Sequence, residues 1–358
     1  MPVLVKSEDV EHAAGRLAAV FREVPFLAQA GIRRTNAPRG SAADFILSVR
    51  SPKFERRLVC EVKPSGQPRV AREACRALRE EVRADRRDYP VFIAPYIAPA
   101  AADICREYQV GYFDLAGNCR LAFDHLYIRR EGFPNPSVQR RGLRSLFSPK
   151  AERVLRVLVA GGKRYWRMQQ LAAEAGVSLG QAAQVKKLLV DREWIETGAR
   201  GLRLRPLEDG VLPMLAEWRE AYRGERNTAH ECYSLKPLPE MERELANAGR
   251  RMKAGLAFTG FSGAARFAPA VRYQRVTAYI LVNPRTLAKR LGLKAVASGA
   301  NVTLVEPYDE GVLYGAAERD GAPVVSPVQL YLDLSRTKGR GEEAAAAILE
   351  QVIKPLWR

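Results

Sequence analysis

Two carboxylates and a lysine stand where metal-assisted phosphoryl chemistry would need them. Asp44 falls in a run, Ala42 to Val49, that reads as a strand, and Glu61 and Lys63 flank Val62 in a second run, Arg57 to Lys63. Side chains two apart on a strand share a face, so Glu61 and Lys63 converge while Val62 turns to the core. Asp44, Glu61 and the Val62 carbonyl then make an oxygen set of the kind Mg²⁺ takes. Lys63 is left to orient or polarise an attacking water, or to stabilise a pentavalent phosphate. The bland alternative is a buried Glu–Lys pair beside an exposed Asp.

The elements that must hold this set begin with an amphipathic helix, Ser7 to Val24, carrying Val10, Ala14, Leu17, Ala18 and Phe21 on one face and Ser7 and Glu8 at its start. After the two strands come a helix from about Gln67 to Asp85, the β-rich run Val91 to Ile97, a helix from Pro99 to Tyr108, and strands within Gly111–Gly117 and Leu121–Arg130. This order predicts a mixed sheet with helices on both faces. With Asp44 followed by Glu61-Val62-Lys63 inside it, the stretch Ser7 to Arg130 resembles the PD-(D/E)xK restriction-endonuclease-like superfamily, Ala43 standing where the motif has Pro. The resemblance implies a nuclease-like fold with Asp44, Glu61 and Lys63 as catalytic residues, and Asp44 and Glu61 as ligands of Mg²⁺ if the site is active. A fold does not fix an activity, and such domains attached to regulators are often catalytically inactive.

The helix after that motif carries Arg69, Arg72, Arg76, Arg79, Arg83 and Arg86 at spacings of three and four, which draws a basic stripe beside the apolar face of Ala71, Ala74, Cys75, Leu78 and Val82. Arg72, Arg76, Arg79 and Arg83 are candidates for tracking a phosphate backbone. A solvated face partly paired to Glu73 and Glu80 is the alternative.

A second constellation lies between Ser148 and Arg205. Ser148-Pro149 opens a helix, with the hydroxyl as N-cap and Pro at the first position. A second helix follows from Met168 to Ala175, then a turn at Gly176, where glycine permits the left-handed conformation, and a third helix capped by Ser178. Ala182, Val185, Leu188 and Leu189 face inward, with Val177 plugging the space between helices. Gln181, Gln184, Lys186 and Lys187 face solvent. Early residues of such a helix reach base edges, so Ser178, Gln181 and Gln184 are candidates for DNA contact, the glutamines suiting adenine and the lysines phosphate. Trp194-Ile195-Glu196 and Leu202 to Arg205 form a hairpin around Gly198 to Gly201, placing Arg200, Arg203 and Arg205 on a basic wing. The whole order resembles that of winged helix-turn-helix regulators. That resemblance implies duplex DNA as partner, although winged helices also serve as dimerisation pieces.

Composition points the same way. Among 358 residues, 58 Lys and Arg against 40 Asp and Glu leave a net charge of +18, a field that attracts polyanions. No apolar run approaches the ~20 residues of a membrane span, and the N-terminus lacks a signal peptide's order, so a cytoplasmic, non-membrane protein is expected. Cys60, Cys75, Cys105, Cys119 and Cys232 form no CxxC pair and read as buried thiols; with three histidines only, a zinc site is not expected.

Beyond about Arg251 the chain mixes Gly-punctuated helices with strands, an α+β pattern. Thr259-Gly260-Phe261-Ser262-Gly263-Ala264-Ala265 lacks the phosphate-loop lysine and reads as a tight helix entry. Together with Ser326-Pro327-Val328-Gln329-Leu330-Tyr331-Leu332-Asp333-Leu334 and Gly339-Arg340-Gly341-Glu342-Glu343-Ala344, it makes the stretch from Ser148 to Leu356 similar to AbiEi-type antitoxins of type IV toxin–antitoxin systems. That similarity implies an autoregulating DNA-binding protein opposed to a nucleotidyltransferase-like toxin from the same operon. The nuclease-like front segment departs from the short antitoxins.

The expected architecture is α/β and α+β multidomain. It comprises a nuclease-like mixed sheet at 1–131, a linker at 132–147, a winged helix-turn-helix at 148–206 and an α+β domain at 207–358. The expected function is double-stranded-DNA-binding transcription regulation, with a homodimer as one form. A Mg²⁺-dependent endonuclease targeted by the winged helix is the competing reading, and a protein scaffold the third.

Overall fold

The computed structural model describes residues 7–24, 27, 32–36, 41–51, 54–136, 146–270 and 272–358, with backbone alone at 32–36 and 84. Most of the expected linker, 137–145, lies outside the described residues. Two compact units emerge, residues 1–142 with 191–193, and residues 143–190 with 194–358.

The first unit runs α1 (Ser7–Arg22), β1 (Ile32–Asn36), β2 (Phe45–Arg50), β3 (Glu55–Val62), α2 (Pro68–Glu81), β4 (Asp88–Ala94), α3 (Pro99–Glu107), β5 (Gly111–Asp114), β6 (Cys119–Phe123) and β7 (Leu126–Arg130). Among the described residues its seven strands lie in sequence order, and only the β3–β4 and β4–β5 pairs are parallel. Those are the two connections that carry helices, as a parallel crossover requires. Alternation along the strands splits the core in two. Leu58, Cys60 and Val62 pack with Leu17 and Phe21 of α1, whereas Val59 and Phe92 pack with Cys75 and Leu78 of α2 and Cys105 of α3. The sheet is therefore covered on both faces, as the element order predicts.

The second unit opens with α4 (Pro149–Ala160), α5 (Met168–Glu174), α6 (Leu179–Asp191), β8 (Ile195–Gly198) and β9 (Gly201–Leu204). It continues with α7 (Leu212–Ala221), β10 (Thr228–Tyr233), α8 (Leu238–Met252), β11 (Ala257–Thr259), α9 (Gly260–Ala264), β12 (Val276–Tyr279), α10 (Pro284–Arg290), β13 (Lys294–Ala295), β14 (Val302–Glu306), β15 (Ala317–Arg319), β16 (Ala322–Val324), α11 (Pro327–Ser335), α12 (Gly341–Ile348) and α13 (Lys354–Trp357). Strands β10 to β16 make one mixed sheet in the order β13-β10-β14-β12-β11-β16-β15. The expected helix entry at Thr259 is a strand-to-helix turn in which Ser262 Oγ donates to the Thr259 carbonyl.

Segments 148–206 and 207–358, expected as separate domains, share one continuous core. The reason lies in α4, which is buried on nearly every side from Ala151 to Val159, including Glu152 and Arg156. Glu152 and Arg156, 2% and 1% exposed, take partners from distant elements. Trp218 Nε1 donates to Glu152 (3.1 Å), and the Tyr308 hydroxyl reaches its other oxygen. The Arg156 guanidinium donates twice to Gln329 Oε1, at 3.0 and 2.8 Å. Gln329 in turn donates to Asp333 (2.9 Å), whose carboxylate also accepts from Tyr222 (2.8 Å), Tyr279 (2.9 Å) and Thr259. Burial pushes the Asp333 carboxyl above its ordinary range although all four of these groups favour the anion. The Ser-Pro-Val-Gln-Leu-Tyr-Leu-Asp-Leu stretch thus does more than start a helix, because its Gln and Asp fasten α4 to the C-terminal sheet.

Ser148 occupies the N-cap position of α4 as expected, with Pro149 behind it, but its hydroxyl makes no capping hydrogen bond. All five cysteines are free and buried. Among the described residues no helix is long and apolar enough to cross a membrane.

Candidate nucleic-acid interface

The turn between α5 and α6 is built as the sequence predicts. Gly176 takes a left-handed φ of +60°, and the Val177 N–H donates back to Ala172 O (3.0 Å), closing α5. At Ser178 the chain forms a reciprocal cap that sequence reading missed. Ser178 Oγ accepts from the Gln181 N–H, and Gln181 Oε1 accepts from the Ser178 N–H, both at 3.2 Å. This is an S-x-x-Q capping box. It alters the part assigned to Gln181, since a two-point contact with adenine needs the amide oxygen and nitrogen together, and that oxygen already caps the helix. Gln184 is exposed on the same outward face, with Lys187 exposed and Lys186 half-buried beside it. Ala182, Val185 and Leu189 point into the core.

Strands β8 and β9 join through a two-residue loop, Ala199-Arg200, and an isolated antiparallel bridge at Trp166 is added along β9. Trp166 bridges Leu202 in both directions, its N–H donating to Leu202 O (2.7 Å) and its carbonyl accepting from Leu202 N (2.9 Å). Gly201 has to be glycine there, with φ +119° and a site where a Cβ would lie 2.3 Å from Trp166 O. Arg203 donates to Glu196 across the hairpin (2.8 Å). The guanidinium carbons of Arg200 and Arg203 also lie 4.4 and 4.6 Å from the ring centre of Tyr165, and Arg200 donates to its hydroxyl (3.3 Å). Arg205, half-buried, starts the exit, its N–H bonded to Trp194 O (2.9 Å). No spacing rule points to Tyr165, which reaches the wing only through the Trp166 bridge.

In the first unit the basic stripe of α2 is shorter than its spacing suggests. Arg69 pairs with Asp191 (2.9 Å) and Glu73 (2.8 Å), and Arg72 with Glu193 (2.9 Å). Arg76 donates to the Tyr108 hydroxyl (3.2 Å), which lowers that phenol's pKa. Arg79, and Arg83 in the short turn just beyond α2, remain exposed.

Asp44, Glu61 and Lys63 come together. Asp44 lies just before β2 rather than within it, yet its N–H donates to Cys60 O (2.8 Å) and its Oδ2 accepts from Val62 N (2.6 Å). Lys63 lies just beyond β3, held by its N–H to Ile93 O (2.8 Å), and its ammonium pairs with Glu61 Oε1. Glu61 is 4% exposed on the face opposite Val62, and its Oε2 is buried without a hydrogen-bond partner. Burial raises the Glu61 pKa, with Lys63 opposing the rise and Asp44 adding to it. An orphaned carboxylate oxygen beside a second carboxylate fits a hard cation that keeps several of its own waters, as Mg²⁺ does. Among the described residues no group of three or more His, Cys, Asp and Glu side chains assembles.

Fold and surface define a mixed α/β protein in which the helices α4 to α6 are followed by a two-stranded hairpin that carries arginines. Its residues 212–354 match the family described as transcriptional regulator, AbiEi antitoxin, type IV TA system. The matched region begins after the hairpin and lies inside the longer stretch, Ser148 to Leu356, where the resemblance was expected. Two solved structures are similar in part. One is a repair endonuclease from Pyrococcus abyssi, at 12% identity over 32% of this chain and 49% of that one with a TM-score of 0.21. The other is EndoMS in apo form, at 17% identity over 32% and 48% with a TM-score of 0.20. The chain spans about half the length of each. No curated protein matches it.

Proposed function

We propose that this chain is a double-stranded-DNA-binding transcription regulator of the AbiEi antitoxin kind, in which α4 to β9 act as a winged helix-turn-helix. The observation that carries this reading is the outward face of α6, with Gln184 and Lys187 exposed, in the same compact unit as the region that matches the regulator family. In this reading α6 enters the major groove, Gln184 reads a base edge with Gln181 behind it, and Lys186, Lys187, Arg200, Arg203 and Arg205 meet phosphate. Arg79 and Arg83 add a second, sequence-independent contact. The partners are duplex DNA and a nucleotidyltransferase-like toxin from the same operon, with a homodimer reading paired half-sites in the cytoplasm. A gel-shift at ~150 mM salt tests it, because non-specific affinity is largely screened there. Tighter binding to the chain's own upstream region than to unrelated duplex is expected, and equal affinity for the two refutes the reading.

The orphaned Glu61 Oε2 favours a second reading, a Mg²⁺-dependent endonuclease activity at Asp44, Glu61 and Lys63. Asp44 and Glu61 would hold the ion, which supplies Lewis-acid polarisation of a phosphoryl oxygen, and Lys63 would neutralise the developing charge. Nicking of supercoiled plasmid with Mg²⁺ or Mn²⁺, abolished by Glu61→Ala and by Lys63→Ala, is the expected result. Nicking indifferent to both substitutions leaves the triad structural.

A further inference from the structure

We infer that Tyr165 is a positioning residue for the wing, holding Arg200 and Arg203 in the arrangement that meets a DNA backbone. The inference rests on reading the hairpin as a phosphate-contacting wing, and adds to it a residue that touches no phosphate in that scheme.

The geometry starts with the backbone. Trp166 pairs with Leu202 in antiparallel register, so its predecessor Tyr165 lies across from Arg203, next along β9. The two-residue loop brings Arg200 to the same ring. Both guanidinium carbons then lie within 4.6 Å of one ring centre, and the Tyr165 hydroxyl accepts from Arg200. Planar guanidinium groups stack on aromatic faces, attracted by the ring's negative face. Two like charges near one ring repel each other, and Glu196, bonded to Arg203, offsets part of that repulsion.

Free arginine side chains sample many rotamers and lose that freedom on binding. Arginines already stacked on Tyr165 have lost much of it before DNA arrives, while their remaining donors stay available. The ring thus acts by pre-organisation rather than by contact, and its removal should matter only while the arginines are present.

A fluorescein-labelled duplex from upstream of the chain's own gene is the probe, titrated with the full chain. Arg200→Ala combined with Arg203→Ala should weaken binding and lower the slope of log affinity against log salt by about two, one for each lost phosphate contact. Tyr165→Leu, which keeps apolar bulk but removes the ring, should weaken binding about fivefold to tenfold through the ordering the two arginines then undergo on binding. Tyr165→Phe should recover most of that loss, and Tyr165→Leu placed on the double-arginine background should cost nothing further. If the double-arginine variant binds as the parent does, the wing reading itself is wrong. If it weakens binding while Tyr165→Leu does not, or if the Tyr165→Leu effect persists in full on the double-arginine background, the positioning role is overturned. Thermal melting accompanies each variant, and Tyr165→Thr, whose β-branched side chain suits an extended segment, replaces Tyr165→Leu if that variant melts early.

Discussion

Gln181 and Gln184 sit one helical turn apart on the same outward surface of α6, yet they do different work. Gln181 closes a capping box with Ser178, and Gln184 has its amide outside that box. Gln181→Ala is therefore expected to lower stability by about 1 kcal/mol, the usual value of a lost cap. It should leave the preference between duplexes nearly intact. Gln184→Ala is expected to leave the melting temperature unchanged and to remove about 1–3 kcal/mol of discrimination between target and unrelated duplex. Parallel melting curves and competition titrations separate the two, and the opposite pattern would reverse the assignment. From sequence the two residues look equivalent, because exposure and spacing treat them alike. The difference is a hydrogen bond visible only once Ser178 is fixed as the cap.

At the scale of the element, β3 has to do two things at once. Its alternation sends Leu58, Cys60 and Val62 to one core, so Glu61 is carried to the other face and buried there with one oxygen unpartnered. An anion held this way has a raised pKa, so the folded state keeps its proton to higher pH than the unfolded chain does. The sign of the linkage follows. Glu61 favours folding at low pH, and that contribution is lost as pH rises from the ordinary carboxylate range through the raised folded value. Glu61→Gln is therefore expected to raise the melting temperature at pH 7 and to flatten its dependence on pH above the ordinary carboxylate range. A melting temperature that falls on substitution would mean that the Lys63 pair outweighs the burial. Mg²⁺ should raise the melting temperature of the parent chain and not that of Glu61→Gln, if the cation binds where the orphaned oxygen points.

Across the second unit, the polar chain from Glu152 and Arg156 through Gln329 to Asp333 joins α4 to the C-terminal sheet. Buried charges of this sort contribute little when intact but cost much when one member is removed. Arg156→Met should thus lower unfolding stability by about 3 kcal/mol, because Glu152 loses its charged neighbour in a site closed to water. The urea midpoint of the transition that unfolds residues 143–358 is the measurement, and a change within about 0.5 kcal/mol, typical of a surface position, would contradict it. The same polar chain explains why a segment that reads as an independent winged helix shares its core with the region matching the antitoxin family. The segment α4 to β9 has no separate core to fall back on.

The sequence by itself determined the local elements. The turn at Gly176, the helix beginning after Ser178, the hairpin closing at Gly201 and the convergence of Glu61 with Lys63 all follow from periodicity, glycine placement and the two-residue repeat of a strand. These features depend on neighbours along the chain. Only the tertiary structure decided which charged groups are committed. Arg72 is matched to Glu193, Arg153 to Asp309, and Arg156 to Gln329. Partners in those pairs are 121, 156 and 173 positions apart. Composition records an arginine but not the carboxylate that will lie beside it. That pairing is fixed when distant surfaces pack and leave water, because a buried charge must then find a partner or lose its ionisation.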